Sequence, residues 1–311
     1  MRQLLLVLSL CFLAACGKPV NQSYMEESGK VKVLSTTAMI DDLVAAVGGE
    51  EIDHLSLIVG DLDPHSYELV KGDDEKLARA DLIFYNGLGL EHGASLSKHL
   101  DFHPEALPLG DILYRQNPDS FIVIEGQLDP HFWMDVALFA QTIDPIVAAL
   151  SKKAPQYASL FKERGEVLKK EMMERDQSLL SKMQAIPAEK RYLVTSHDAF
   201  YYFAKRYLAA PEEKEWKNRF IAPEGLAPDG QMSILDIQAV SEFLCAHHIE
   251  TVFPESNINQ DALKKIAAIC KEKGLDVKIA PAPLYGDTMG EKESYLEMMK
   301  HNGETLNHYL P

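Results

Sequence analysis

The chain has 311 residues, of which 46% are hydrophobic and 25% are charged, as in a folded globular protein of more than one domain. Its formal net charge of -16 arises from 31 basic and 47 acidic residues. Because nucleic-acid binding requires a basic face, this balance argues against nucleic acid as a partner. An acidic surface is compatible with cation binding, but it does not by itself predict a cation site.

The first fifteen residues are predicted to be a signal peptide, outside the fold. Arg2 precedes an apolar run from Leu4 to Leu13, which is too short to cross a bilayer but fits a signal sequence. Residues 13–17 read Leu-Ala-Ala-Cys-Gly and resemble the bacterial lipobox, in which cleavage before the cysteine leaves a lipid-modified N-terminus, here Cys16. We therefore expect a lipoprotein anchored in a membrane, in the periplasm or at the cell surface. The alternative is an ordinary cleavable peptide that releases a soluble protein.

Residues 16–30 are polar and predict a flexible tether. From residue 31 to 152, short apolar strands alternate with helices, and this alternation predicts an α/β lobe with a mainly parallel sheet. The predicted strands are Val31–Ser35, Leu55–Val59 and 81–87. The predicted helices are Thr37–Val47, Asp73–Ala80, Leu90–Leu100 and Val136–Leu150, with a loop over 101–128.

Residues 153–187 have a different pattern. The segment from Pro155 to Ile186 is highly charged and has one internal glycine, Gly165. About thirty helical residues span about 45 Å, too far for a crossover within one small sheet. We predict one long, rigid helix that joins two lobes and limits their relative motion.

The remaining residues, 188–311, repeat the alternation and predict a second α/β lobe. Strands are predicted at Tyr192–Ser196, Thr251–Phe253 and Val277–Ile279, and helices at Ala199–Tyr207, Ser233–His247, Gln260–Lys273 and Ser294–Tyr309. Cys245 and Cys270 fall at apolar positions of two of these helices. In an oxidising compartment they could pair, and two buried free thiols are the alternative.

Two copies of Asp-Pro-His give the first indication of chemistry. They are Asp63–His65 and Asp129–His131, the latter followed by Phe-Trp-Met-Asp. In each copy the proline stiffens the corner, and the aspartate can cap the turn or helix that follows. A histidine held at a rigid corner favours metal binding, since neutral imidazole is the commonest metal ligand. A single copy would more often be a plain turn, but two copies favour a site.

Two further candidate ligands, His197 and Asp287, follow predicted strands of the second lobe. Ligands of open α/β sheets bind beyond the carboxyl ends of the strands. Three imidazoles and one carboxylate suit a transition metal better than Ca²⁺ or Mg²⁺, which prefer oxygen ligands. We therefore predict a metal site between the lobes. We expect supporting roles, as orienting or capping groups, for Asp63, Asp129 and Asp135, and a surface or supporting role for Glu255. The other histidines are expected to be structural or exposed.

The sequence then resembles one family, over nearly the whole chain from Val31. The motifs that carry the resemblance are Asp63–Glu68, Asn86–Glu91, Asp129–Trp133, Thr195–Phe200, Ala222–Pro228 and Leu284–Asp287. They are similar to those of the cluster A-I zinc/manganese/iron solute-binding lipoproteins of bacterial ABC importers, above all the spirochaetal and chlamydial members. The resemblance implies His65, His131, His197 and Asp287 as metal ligands. It implies an ABC importer permease and its ATPase as partners.

The resemblance leaves the metal open between Zn²⁺ and Mn²⁺, with Fe²⁺ as a further possibility. Zinc-selective relatives often have a histidine-rich loop before the second ligand, whereas Arg115–Leu128 contains no histidine. Manganese-selective relatives often have glutamate at the third ligand position, where this chain has His197. Three nitrogens and one carboxylate hold zinc at least as well as manganese, and the order of affinities favours zinc.

Two other functional classes are compatible with the same residues. A metal-dependent hydrolase would use a His/Asp zinc site, but such sites keep three protein ligands and an open water position. A surface adhesin lipoprotein would bind metal only incidentally. Four protein ligands favour binding over catalysis, so we expect a metal-binding protein that is not an enzyme. We also expect it to be a monomer.

Overall fold

The computed structural model describes residues 20–228, 232–292 and 294–310, and it confirms the α/β fold class. A four-stranded parallel sheet forms the first lobe, with β1 (Val31–Ser35), β2 (Ile52–Ser56), β3 (Leu82–Tyr85) and β4 (Ala106–Pro108) in the order β2-β1-β3-β4. Leu34 of the central strand is paired in register with Leu55 on one side and Ile83 on the other. The carboxyl ends of these parallel strands therefore lie at one edge of the sheet.

Helices cover both faces of this sheet. They are α1 (Val20–Met25), α2 (Ala38–Gly48), α3 (Asp73–Arg79), α4 (Ala94–Phe102), α5 (Leu109–Gln116), α6 (Val136–Phe139) and α7 (Ile143–Lys153). A small antiparallel hairpin of β5 (Val123–Ile124) and β6 (Gln127–Leu128) precedes α6. The side chain of Thr37 accepts a hydrogen bond from the backbone N–H of Ile40 and so caps α2.

The long helix is α8 (Ala158–Gln184), with 27 residues and a length of about 40 Å. It begins later than predicted, because Pro155–Tyr157 form a short 3-10 turn. Its buried face includes Phe161, Met172 and Met183. Gly165 is required where α8 meets α7, since a Cβ there would lie 2.7 Å from Val147. The helix is thus packed along its length and is not a free-standing rod.

The second lobe has two parallel strand pairs, β7 (Leu193–Val194) with β8 (Phe220–Ile221), and β9 (Thr251–Val252) with β10 (Lys278–Ile279). The N–H of Phe253 donates to the carbonyl of Val194 at 2.9 Å, so that β7 and β9 are neighbours. The helices of this lobe are α9 (Tyr201–Phe203), which continues as a π-helix over Ala204–Leu208, α10 (Ile234–His247), α11 (Asp261–Glu272) and α12 (Tyr295–Tyr309).

One apolar core extends through both lobes. It includes Val44 of α2, Met172 of α8, Phe203 of α9 and Leu306 of α12. Smaller clusters lie on the outer faces, one around Leu34 under α1, α3 and α4, and one under α10 and α11. Because the lobes share their main core, they are less independent than two domains joined by a flexible linker. The lobe boundaries, 31–152 and 188–311 with the linking segment 153–187, stay predictions.

Besides the later start of α8, β2 covers Ile52–Ser56 and not the predicted Leu55–Val59. The structure departs from the sequence prediction in three further places. Residues Val20–Met25 of the predicted tether form a helix, and Tyr24 is buried with its hydroxyl donating to the carbonyl of Lys76 at 2.9 Å. The predicted loop over 101–128 contains β4, α5 and the hairpin. The predicted helix Val136–Leu150 is interrupted at Ala140–Thr142. Pro145 accounts for this break, since it has no N–H and fits only the first turn of a new helix.

Candidate metal centre

Three of the four candidate ligands lie beyond the carboxyl ends of parallel strands. His65 follows β2, His197 follows β7 and Asp287 follows β10. His131 follows the β5–β6 hairpin instead and immediately precedes a 3-10 turn, Phe132–Met134. Each lobe therefore supplies two of these side chains. This agrees with the rule that ligands of open α/β sheets bind beyond the carboxyl ends of the strands.

The four side chains converge. His65, His131, His197 and Asp287 are all buried, and one ligand atom of each lies within 4.8 Å of the others. Nε2 of His131 is 3.1 Å from Nε2 of His65 and 3.3 Å from Oδ1 of Asp287. Oδ2 of Asp287 is 3.1 Å from Nε2 of His197 and 3.7 Å from Nε2 of His65. Four tetrahedral ligands at about 2.1 Å from zinc are about 3.4 Å apart, so these spacings suit one ion.

The carboxylate of Asp287 gives a second indication of a cation. Among the described residues, neither of its oxygens has a hydrogen-bond donor of good geometry, although the residue is buried. Buried carboxylate oxygens without donors are rare in folded proteins and need a positive partner. Only imidazole nitrogens face them here, which a metal ion shared with those nitrogens would explain.

The two Asp-Pro-His corners form the same turn. Oδ1 of Asp63 accepts a hydrogen bond from the N–H of His65 at 2.8 Å, and Oδ1 of Asp129 accepts one from the N–H of His131 at 2.9 Å. The second copy has an added role, because Oδ1 of Asp129 also lies 2.8 Å from Nδ1 of the His131 ring. That contact fixes the tautomer in which Nε2 faces the other ligands. Asp135 has a capping role, accepting from the N–H of Leu138 at 3.0 Å.

Glu255 supports His197 in the same way. Its Oε1 accepts from the backbone N–H groups of Ser196 and His197 at 3.0 and 2.9 Å, and its Oε2 lies 2.7 Å from Nδ1 of His197. Gly286 makes this arrangement possible, since a Cβ there would lie 2.3 Å from Oε2 of Glu255. Glu255 therefore has the supporting role that was expected for it. In the sequence, its place just after a predicted strand indicated this role.

The backbone of His65 is held within the first lobe. Its carbonyl accepts hydrogen bonds from the N–H groups of His92 and Gly93 at 3.1 and 3.0 Å. Glu91, in the same turn, is buried and accepts from Thr36 Oγ1 at 2.7 Å and from the N–H of Asn86 at 2.8 Å. Burial raises the pKa of Glu91, although these donors oppose the shift. The turn after β3 is thus a brace under His65.

The segment around His131 is fastened to the second lobe, which sequence reasoning missed. The hydroxyl of Tyr202 donates to the carbonyl of Asp129 at 3.2 Å and accepts from the N–H of Ile122 at 3.1 Å. The hydroxyl of Tyr207 accepts from the N–H of Val136 at 3.1 Å. Trp133 donates through Nε1 to the carbonyl of Gly286 at 2.9 Å. The last contact joins the His131 turn directly to the Asp287 turn.

The electrostatics of the ligands follow from burial and from their carboxylate partners. Burial lowers the pKa of His65. Burial would also lower the pKa of His131, but contacts with Asp129 and Asp287 raise it to about 9. The charges of Asp287 and Glu255 likewise overcome burial and raise the pKa of His197. The pKa of Asp287 is held well below its ordinary value by the histidines, although burial opposes this.

The remaining histidines lie outside this cluster. Nδ1 of His54 is 3.0 Å from Asp41, and His92 is exposed with its ring 5.7 Å from the ring of His65. The others, which likewise contribute no atom to the cluster, are His99, His103, His247, His248, His301 and His308. Residues 1–15 and Cys16 lie outside the described residues. Within the described part of the chain, no helix combines the length and apolarity that a membrane crossing requires.

A two-lobed α/β fold with a long linking helix and a buried set of three histidines and one aspartate between its lobes defines a metal-binding protein. A family model described as "ZnuA: Zinc-uptake complex component A periplasmic" matches residues 33–309. The chain therefore belongs to the ZnuA family, and the resemblance found in the sequence is confirmed. It is an extracytoplasmic metal-binding protein of ABC metal uptake.

Individual relatives agree with this placement. The metal-binding protein YtgA of Chlamydia trachomatis is 41% identical over 310 residues, which cover 98% of this chain and 94% of YtgA. The manganese-binding lipoprotein MntA of Bacillus subtilis is 30% identical and covers 96% of this chain and 94% of MntA. The crystal structure of Fe(III)-bound YtgA has a TM-score of 0.86, covering 90% of this chain and 98% of that one. The zinc-binding protein TroA of Treponema pallidum has a TM-score of 0.82 at 28% identity, covering 91% and 99%.

Proposed function

We propose that His65, His131, His197 and Asp287 bind one transition-metal ion as cargo, which the chain delivers to the permease of an ABC importer driven by its ATPase. The observation that carries this proposal is the burial of all four side chains with their ligand atoms within 4.8 Å of one another. Such a group of buried, titratable ligand atoms is stabilised when one cation binds to all of them.

The ligand set supports Zn²⁺, Mn²⁺ and iron to different degrees. Three imidazole nitrogens favour zinc over manganese by intrinsic affinity, while geometry and supply decide the outcome in a cell. The relatives carry all three metals in their names, with manganese for MntA, zinc for TroA and Fe(III) for the YtgA structure. We propose a site that accepts these ions and whose cargo is set by the metal available outside the cell.

The same ligand set argues that the chain is not an enzyme. A hydrolytic zinc site keeps one position for water and places a general base beside it. Here four protein ligands would fill a tetrahedral set, and the carboxylates of Asp129 and Glu255 contact the far nitrogens of His131 and His197. They orient the ligands and are not positioned to activate water. We further propose that Cys16 carries the lipid anchor and that the protein acts as a monomer.

Metal analysis of the purified full chain tests the proposal. We expect about one transition-metal ion per chain in the wild type, and loss of that ion in His65→Ala and in Asp287→Ala. His308→Ala is the matched control, because His308 is exposed and remote from the cluster, and it should retain the ion. Circular dichroism should find each variant folded. Full metal content in both ligand variants would refute the assignment of the site.

Competition between Zn²⁺ and Mn²⁺ on the same preparation then ranks the cargo. We expect Zn²⁺ to displace Mn²⁺ at equal concentration, because the order of affinities favours zinc at a nitrogen-rich site. Hydrolytic activity that depends on the ion and on Asp129 would instead restore the enzyme hypothesis.

A further inference from the structure

A second pair of reactive groups lies far from the metal centre, on the outer face of the second lobe. Cys245 is on α10 and Cys270 is on α11, two helices that pack against each other over β7 and β9. Both are thiols in the structure, Cys270 fully buried and Cys245 half-buried. Within the described residues they are the two cysteines of the chain.

The Cys270 sulfur lies against the helix that carries Cys245. Sγ of Cys270 contacts the backbone carbonyl of Ser241 on α10 at 3.7 Å. Ser241 lies one helical turn before Cys245, so this contact places the Cys270 sulfur against the face of α10 that presents Cys245. The thiol of Cys245 is a near neighbour of the Cys270 thiol. Burial and this neighbour together raise the pKa of Cys270 to about 11.

Location decides what such a pair does. The family to which the chain belongs is periplasmic, and exported proteins fold where thiols are oxidised and disulfides persist. Two neighbouring cysteines on packed helices can reach disulfide geometry by rotation of their side chains. We propose that Cys245 and Cys270 form a structural disulfide in the exported protein.

The chemistry requires an oxidant, for which a protein disulfide of the thiol–disulfide exchange class suffices. The half-buried Cys245 attacks one sulfur of that disulfide, forming a mixed disulfide and releasing the other oxidant sulfur as a thiol. Cys270 then attacks the Cys245 sulfur, and the bond to the oxidant breaks. The two thiol protons and two electrons of the cysteines end on the oxidant, which leaves as a dithiol.

The resulting loop has a structural consequence. Residues 245–270 contain β9 and Glu255, the carboxylate that contacts Nδ1 of the ligand His197. A bond between α10 and α11 closes this loop behind the sheet and restricts the unfolded chain. The disulfide therefore stabilises the lobe that carries His197 and Asp287, without touching the metal site.

Peptide mapping of the exported full-length protein tests the proposal directly. The protein is denatured and alkylated without reductant, then digested with trypsin. We expect the peptide 220–264, which contains Cys245, to be linked to the peptide 266–271, which contains Cys270, and expect the link to disappear after reduction. Recovery of both peptides in alkylated form from unreduced protein would overturn the proposal. Because the assay reads a covalent bond, it does not depend on Cys16 or on bound metal.

A stability measurement separates a disulfide from simple packing of two thiols. The thermal midpoint of the ion-free wild type should fall by about 5 °C on adding reductant. Cys245→Ser should have a lower midpoint that reductant does not change. Cys270→Ala, which removes the buried partner, should be equally insensitive to reductant. A wild type whose midpoint is unchanged by reductant would contradict the proposed bond, whatever the variants do.

Discussion

The two Asp-Pro-His corners are identical in sequence and in turn geometry, yet their surroundings differ. The turn around His131 is bound to the second lobe through Trp133, Tyr202 and Tyr207, and its aspartate contacts the imidazole ring. The aspartate of the other corner, Asp63, contacts the N–H of His65 and the exposed hydroxyl of Ser66. The segment before it, which includes Val59 and Leu62, is exposed.

This comparison explains why the two ligands differ in basicity. The pKa of His131 is raised to about 9 because Asp129 and Asp287 both face its ring, whereas burial lowers the pKa of His65. The ring of His131 is oriented by Asp129 before an ion binds, whereas His65 is held through its backbone carbonyl. The same tripeptide thus builds a preorganised ligand at one corner and a more adaptable one at the other.

Removing the charge of each aspartate should reveal the difference between the two Asp-Pro-His corners most clearly. Asn at either position keeps an oxygen for the turn, so Asp129→Asn and Asp63→Asn differ chiefly in the loss of a charge beside an imidazole. We expect Asp129→Asn to weaken Zn²⁺ binding by about 10-fold or more, as for other groups that orient metal ligands, and Asp63→Asn by less than about 3-fold. Competition with a chelator of known affinity measures both.

Equal losses in the two aspartate variants would contradict the idea that contact with the ring distinguishes the corners. Asp135→Asn provides a further control, because Asp135 caps α6 and accepts a hydrogen bond from the backbone N–H of Leu138. This substitution should lower the free energy of unfolding slightly and leave the affinity for Zn²⁺ unchanged.

The tyrosine contacts should appear in stability. Tyr202→Phe leaves the N–H of Ile122 and the carbonyl of Asp129 without their partner in a buried region, at a cost of about 1–2 kcal/mol of unfolding free energy. Ser66→Ala, beside the other corner, removes an exposed hydroxyl and should change that free energy by less than about 0.5 kcal/mol. Urea unfolding of the ion-free proteins measures both changes. A Tyr202→Phe variant as stable as the wild type would show that the Tyr202 hydrogen bonds do not hold the His131 turn to the second lobe.

Protons provide the subtlest test. His131 has a pKa of about 9 in the ion-free chain, so at pH 7.5 its imidazole carries a proton that a metal ion must displace. We expect metal binding to release protons at pH 7.5, less so above pH 9, and less so in Asp129→Asn. Calorimetric titration in two buffers with different ionisation enthalpies measures the release.

The raised pKa of His131 also makes the stability of the fold depend on pH. A histidine whose pKa is raised in the folded chain contributes stability that is fully present below about pH 6.5, the ordinary value, and is lost as the pH rises through about 9. The ion-free wild type should therefore lose stability between these values relative to Asp129→Asn. No proton release and no such difference would show that the ring contact has little energetic weight.

The sequence predicted the features that depend on local chemistry. The Asp-Pro-His turns, the position of His197 after a strand and the long charged helix each follow from a few neighbouring residues. The hairpin at 123–128 was missed because its turn is Glu125–Gly126, whose φ angles are 50° and 85°, and glutamate is not the usual first residue of such a turn. Helix α5 was missed because the residue before it, Pro108, offers no capping side chain.

The contacts between lobes lay beyond sequence reasoning for a different reason. Tyr202 meets Asp129 across 73 positions, and Trp133 meets Gly286 across 153. Such pairs depend on how two sheets are oriented, which no local pattern encodes. Tyr202 and Tyr207 follow His197 in a stretch that predicted only a helix, and their hydroxyl groups carry no motif.

The core that runs through both lobes bears on how a transporter distinguishes a full carrier from an empty one. Since Met172 of the linking helix packs with Val44 and Leu306 from opposite lobes, a wide hinge opening would expose much apolar surface to water. Loaded and empty molecules should then have similar outlines. A permease would have to sense local differences, such as the charge at the mouth of the site or the freedom of the His65 turn, and the work of extracting the ion would fall to ATP hydrolysis in the importer.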